Sequence, residues 1–111
     1  MRVFKFGGAS VKDAKGVKNL ISVLDQVGHD NTLIIVSAMG KTTNALEQVI
    51  GNYFDNKPEL QQAIQAVVTY HNDIISELFE NKNHPVFDIT NALFEELTTF
   101  LKTNKSPDYN F

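Results

Sequence analysis

Lys5-Phe6-Gly7-Gly8-Ala9-Ser10 brings an ammonium, two glycines and a hydroxyl into one short stretch of chain. Such a set suits an anion: glycines let main-chain N–H groups approach phosphate or carboxylate with no Cβ in the way. Lys5 adds a compact positive charge, and Ser10 stands where a helix is expected to open. A second polar stretch, SAMGKTTN from Ser37 to Asn44, adds the hydroxyls of Ser37 and Thr43 and the charge of Lys41. Each residue also has a plainer reading. A glycine pair makes a tight turn, Lys5 and Lys41 serve as solvated charges, and Ser and Thr hydroxyls cap helices. Gly40-Lys41-Thr42-Thr43 resembles the end of a P-loop, but that motif needs a glycine at position 35, and Ile35 stands there inside an apolar run. A standard P-loop is therefore excluded.

The elements that must position these groups follow from apolar spacing. Val3 to Phe6 is short, apolar and ended by glycines, which predicts a buried strand. Val11, Ala14, Val17, Ile21, Leu24 and Val27 then step down one face of a helix. Ser10 is the expected N-cap, with Asp13 completing a variant capping box, and Gly28 is the expected left-handed cap. After a turn at His29-Asp30-Asn31, TLIIV (Thr32 to Val36) has no polar alternation, as in a parallel strand covered on both faces. The result is a βαβ unit with both candidate loops at the carboxyl ends of adjacent parallel strands, where open α/β sheets bind ligands. The hydroxyls of Ser37 and Thr43 are expected to face Lys5 there.

Three more helices are predicted. The first runs from Ala45 to about Phe54, and DNKPE breaks the chain after it, with Asn56 a cap and Pro58 in a first turn. The second carries Leu60, Ile64, Val67, His71, Ile74, Ile75 and Leu78 on its buried stripe. After NKNHP the third runs from about Val86 to Leu101, with Val86, Ile89, Leu93, Leu97 and Leu101 inward. The tail NKSPDYNF is polar. Two strands are a meagre centre for four helices, so the chain reads as the opening of a larger α/β domain, and unpaired sheet edges favour self-association.

Composition limits the rest. The 111 residues suffice for one modest core. A net charge of −3 without a basic stripe argues against nucleic acid as a partner. With no cysteine, thiol nucleophiles, disulfides and zinc thiolates are excluded. His29, His71 and His84 share no metal-ligand spacing, so no metal site is expected. No apolar run suits a membrane span, and charge interrupts the first residues before any signal-like stretch, so a cytoplasmic protein is expected.

Taken together, Lys5-Phe6-Gly7-Gly8-Ala9-Ser10-Val11 and Val36-Ser37-Ala38-Met39-Gly40-Lys41-Thr42-Thr43-Asn44 resemble the two opening motifs of aspartokinases, K-F-G-G-[T]-S-V and V-S-A-x-x-x-x-T-N, in the amino-acid kinase family. Tyr70 to Ile75, YHNDII, resembles the family's helical insertion. The resemblance implies an αβα three-layer domain of which residues 1–111 form the incomplete N-terminal part. It implies ATP-dependent phosphorylation of L-aspartate to 4-phospho-L-aspartate, which opens lysine, threonine and methionine biosynthesis. Lys5 would neutralise charge on the moving phosphoryl group, and Gly7, Gly8, Ala9 and Ser10 would hold the ATP phosphates. Ser37 and Thr43 would hold the amino acid, and Mg²⁺ would bridge the phosphates of ATP. Ala9 departs from the threonine commoner in the motif and removes one hydroxyl. A homo-oligomer is expected. A kinase for another acid, glutamate or carbamate, and a non-catalytic helical interaction module are the alternatives.

Overall fold

The structure, a computed structural model, describes residues 1–55 and 58–103. Two strands and four α-helices follow in the order β1 (Arg2–Phe6), α1 (Ala14–Val27), β2 (Thr32–Val36), α2 (Thr42–Phe54), α3 (Leu60–Leu78) and α4 (Pro85–Thr103), with a 3-10 turn at Gly8–Val11 between β1 and α1. The chain divides into two compact units, Met1–Thr43 and Asn44 onward.

In the first unit β1 and β2 pair in parallel, from Arg2 opposite Thr32 to Phe6 opposite Val36. The ladder continues past both ends, as Arg2 N–H donates to Asn31 C=O at 3.0 Å and Ser37 N–H to Phe6 C=O at 2.9 Å. This is the expected βαβ arrangement. One expectation about it fails: Val3, Leu33 and Ile35 expose 57, 47 and 44% of their surface, so only the face bearing Phe4, Phe6 and Ile34 is even partly covered. The absence of polar alternation in TLIIV therefore marks two apolar faces and not two covered ones. Asn31 turns the chain into β2 with φ of 51°, a conformation that asparagine tolerates better than most residues.

Helix α1 starts later than Ser10 predicts. Gly8–Val11 closes its own 3-10 turn, in which Ser10 N–H donates to Gly7 C=O at 3.0 Å. Asp13 is the true N-cap, its Oδ1 accepting from Gly16 N–H at 2.8 Å. Gly16 fits because the Ser10 carbonyl occupies the space a Cβ would take. Val11 and Ala14 are buried at the head of the helix, whereas Ile21 and Val27, expected on its inner face, are about half exposed. Gly28 ends α1 at φ 79° and ψ 161°, positive in φ but not a helical left-handed cap. Arg2 donates to the Gly28 carbonyl at 3.2 Å and so ties this end of the helix to β1.

The second unit is helical. Val49 and Tyr53 of α2, Ile64 and Val67 of α3, and Leu101 of α4 form its buried cluster, flanked by Phe94 and Leu97. On α4 the inner face is thus Phe94, Leu97 and Leu101, while Ile89 and Leu93 are each 61% exposed, contrary to the predicted stripe. Pro85 opens α4, where its missing N–H costs nothing. The His84 ring accepts from Val86 N–H at 3.1 Å and caps the same end. His71 is half-buried, with Nδ1 2.8 Å from the Val67 carbonyl oxygen. The predicted cap Asn56 and the tail from Asn104 lie outside the described residues.

Candidate active site

Both candidate loops belong to the first unit and leave the carboxyl ends of paired strands. Ser37 is fixed beside β1 through its N–H bond to Phe6. Beyond it the second loop folds over the first. Gly40 N–H donates to Gly8 C=O at 3.0 Å. A Cβ built on Gly8 would stand 2.7 Å from the Gly40 carbonyl oxygen and 3.1 Å from that of Ala38. Gly8 is therefore glycine because the second loop occupies the space of a side chain. Around Gly7 nothing lies within 4 Å of a Cβ position, so that side of the loop is open.

The first loop presents donors as well as space. In the Gly8–Val11 turn the Gly7 carbonyl accepts from Ser10, so Gly8 and Ala9 N–H stand at the open end of the turn and lack acceptors within it. Lys5 is exposed in β1, paired in register with Ile35. Ala9, Ser10, Ser37, Lys41 and Thr43 are exposed as well. Amides without acceptors in their own turn, the ammonium groups of Lys5 and Lys41, and two hydroxyl-bearing loops at one end of a sheet can take an anion chemically.

The second loop is more ordered than the run of small polar residues suggests. Thr42 is buried, and its N–H and its hydroxyl both donate to the Met39 carbonyl, at 3.0 and 2.5 Å. Met39 to Thr42 is thus a hydrogen-bonded turn, and Gly40 occupies its second position with φ of 54°. This turn starts α2 at Thr42, where the sequence predicts Ala45, and moves Thr43 into the first turn of the helix. In the sequence Gly40 stands within the P-loop-like stretch and the V-S-A-x-x-x-x-T-N-like segment, and neither pattern gives it or Thr42 a role of its own. A lone glycine between a strand and a helix was the available signal.

Among the described residues no three His, Asp or Glu side chains converge as a metal site. A groove of about 530 Å³, lined by Gln61, Ile64, Phe94 and Lys102 among others, lies between α3 and α4 and contains none of the candidate residues. No described helix is long and apolar enough to cross a membrane.

The model of the amino acid kinase family matches residues 1–103. The chain belongs to that family. Among curated proteins it is similar to Aspartokinase 2, chloroplastic, of Arabidopsis thaliana, 43% identical over 44 residues that make up 40% of this chain and 8% of the relative. It is also similar to Aspartokinase 1, chloroplastic, of the same plant, 31% identical over 80 residues, 68% of this chain and 14% of the relative. The chain thus matches a small part of the length of these relatives. No solved structure matches it. The expected cytoplasmic location is overturned, since both relatives are chloroplastic by name. Charge among the first residues does not distinguish the cytoplasm from an organelle.

Proposed function

We propose that this amino acid kinase segment opens the catalytic domain of an aspartokinase. In the reaction a side-chain carboxylate oxygen of L-aspartate attacks the γ-phosphorus of ATP, the bond to the bridging oxygen of ADP breaks, and 4-phospho-L-aspartate leaves. Such transfers depend on positioning two anions and on stabilising the charge that spreads over the moving group. The observation that carries the reading is the Gly40–Gly8 hydrogen bond, which unites the two loops at the carboxyl ends of adjacent parallel strands. The two relatives named aspartokinases support the choice of acid.

In this reading the Gly7 and Gly8 N–H groups, with Ala9 and Ser10, hold phosphate oxygens, and the Lys5 ammonium offsets the charge that develops on them. Ser37 stands where amino acid and phosphate meet, and Thr43 holds the amino acid. Mg²⁺ supplies further charge neutralisation when bound with ATP. Association with a second copy is part of the proposal, supported by the exposed Val3, Leu33 and Ile35 face.

The test is ADP release by the full-length protein with Mg²⁺ and ATP, in parallel with L-aspartate, L-glutamate and carbamate. Aspartate-dependent release, with aspartyl phosphate trapped as its hydroxamate, is the expected result. Release with glutamate or carbamate alone would assign a different kinase, and release with none of them would leave the binding-module alternative. The isolated 111-residue chain, matching so little of its relatives' length, is expected to form no acyl phosphate.

A further inference from the structure

From the contacts of the second loop we infer that Gly40 is a positioning residue, which locks the phosphate-holding turn to the amino-acid-holding loop through the main chain of Gly8. It rests on the kinase reading above, which uses the Gly40–Gly8 bond only as the contact between the loops, and it assigns Gly40 itself a role in aligning the reactants. Three observations carry it. Gly40 N–H donates to Gly8 C=O at 3.0 Å, so the lock is a main-chain bond that a side chain cannot replace. The carbonyls of Gly40 and Ala38 fill the side-chain space of Gly8, so the first loop cannot shift toward the second without collision. The Gly40 backbone sits at φ 54° in a turn closed by the buried Thr42, whose N–H and hydroxyl both hold Met39 C=O.

A positive φ at the second position of a hydrogen-bonded turn is the pattern of the mirror-image turns, which take glycine first and asparagine or aspartate next. Other residues favour a negative φ, which would swing the Gly40 N–H off Gly8. The turn that carries the Gly8 and Ala9 amides and the stretch from Met39 to Thr43 would then lose their common frame, while Ser37 keeps its own bond to Phe6. Each loop would still bind its own ligand, but the two reactants would no longer be held in line. A fault of alignment appears in kcat, because orientation is a component of the barrier to transfer. Weakened binding appears in KM.

The experiment uses the full-length protein and three variants: Gly40→Val, Gly40→Ala and Gly40→Asn. The order of kcat is expected to be wild type, then Asn, Ala and Val. Gly40→Val should fall at least 10-fold and Gly40→Asn should stay within about 3-fold of wild type. KM for ATP and for the acid should each move less than about 3-fold, and thermal unfolding should report a folded protein throughout. If Gly40→Val fails to fold, the Ala and Asn pair decides, with Asn expected to be the faster. A merely structural glycine would move the melting temperature and leave kcat of the folded fraction unchanged, and that result overturns the inference. So does an Asn variant no faster than Ala. Wild type supplies the control: turnover with another acid removes aspartokinase but leaves the lock testable with that acid, and no turnover with any acid overturns both.

Discussion

Gly7 and Gly8 are adjacent and chemically identical, yet the structure gives alanine opposite effects at the two positions. At Gly7, φ is −76° and ψ 171°, which any residue adopts, and a Cβ meets nothing within 4 Å. Alanine there removes freedom from the unfolded chain without strain in the folded one, a gain of about 0.4–1 kcal/mol. At Gly8 the same atom would stand 2.7 Å from one carbonyl oxygen and 3.1 Å from another, both of backbone that cannot rotate away. Relief requires the second loop to withdraw, which stretches the Gly40–Gly8 hydrogen bond. Overpacking of this kind costs about 1–3 kcal/mol, and the net worth of the bond, about 1 kcal/mol, falls within that range. The two single-methyl variants should therefore differ by roughly 1.5–4 kcal/mol in unfolding free energy, with Gly7→Ala the more stable.

Urea unfolding of wild type and both variants, followed by far-ultraviolet circular dichroism, measures that difference directly. Function separates the variants differently. Gly7→Ala places its methyl in the open space offered to an anion, so it should weaken nucleotide binding while stabilising the protein. Equal stability of the two variants would refute the account, because it would mean that Gly40 and Ala38 do not press on Gly8. A stable Gly7→Ala protein with unchanged nucleotide affinity would remove the phosphate from this side of the loop.

Three further outcomes follow from single contacts. Asp13→Ala should lose about 1 kcal/mol of stability, because its Oδ1 caps Gly16 N–H; Asp13→Asn should retain most of it, and Ser10→Ala should cost little, all read in the same urea titrations. Gly51→Ala in α2 should stabilise by up to about 1 kcal/mol, since its Cβ enters open space, and a lower melting temperature would contradict this. Lys5→Ala should leave stability unchanged because the side chain is exposed, yet lower kcat about 100-fold or more in the full-length enzyme if its charge meets the transition state; near-normal kcat would make Lys5 an ordinary surface cation.

Local signals determined the order of elements, and they failed where two answers fitted one pattern. The glycines after Phe6, the change of apolar spacing at Val11 and the uninterrupted TLIIV run specify strand, helix, strand without help from distant residues. At the start of α1 both Ser10 and Asp13 have capping side chains, and composition cannot rank them. The choice falls to Asp13 because Ser10 N–H is already committed to Gly7 and the Ser10 carbonyl rests where Gly16 has no side chain. On α4, Ile89, Leu93, Leu97 and Leu101 form one apolar stripe, and Phe94, Leu97 and Leu101 form another that shares its C-terminal half. Either stripe satisfies helical periodicity, and only packing against Val49, Tyr53, Ile64 and Val67 selects the second.

The candidate site shows the same division between local and nonlocal information. That both loops leave the carboxyl ends of paired strands follows from the βαβ order alone. Their main-chain bond does not, because a backbone hydrogen bond between residues 8 and 40 leaves no mark in side-chain chemistry beyond two glycines. Each glycine has a local explanation, a tight turn at Gly8 and a loop at Gly40, so neither points to the other. What joins them is exclusion: the carbonyls of the second loop stand where a side chain of the first would be. A glycine required by a neighbouring backbone differs from one required by its own φ, and the two should respond differently to substitution. Alanine at Gly8 meets a collision but no dihedral penalty. Alanine at Gly40 meets a dihedral penalty at φ 54°. Asparagine should therefore rescue position 40 and fail at position 8, where any Cβ collides.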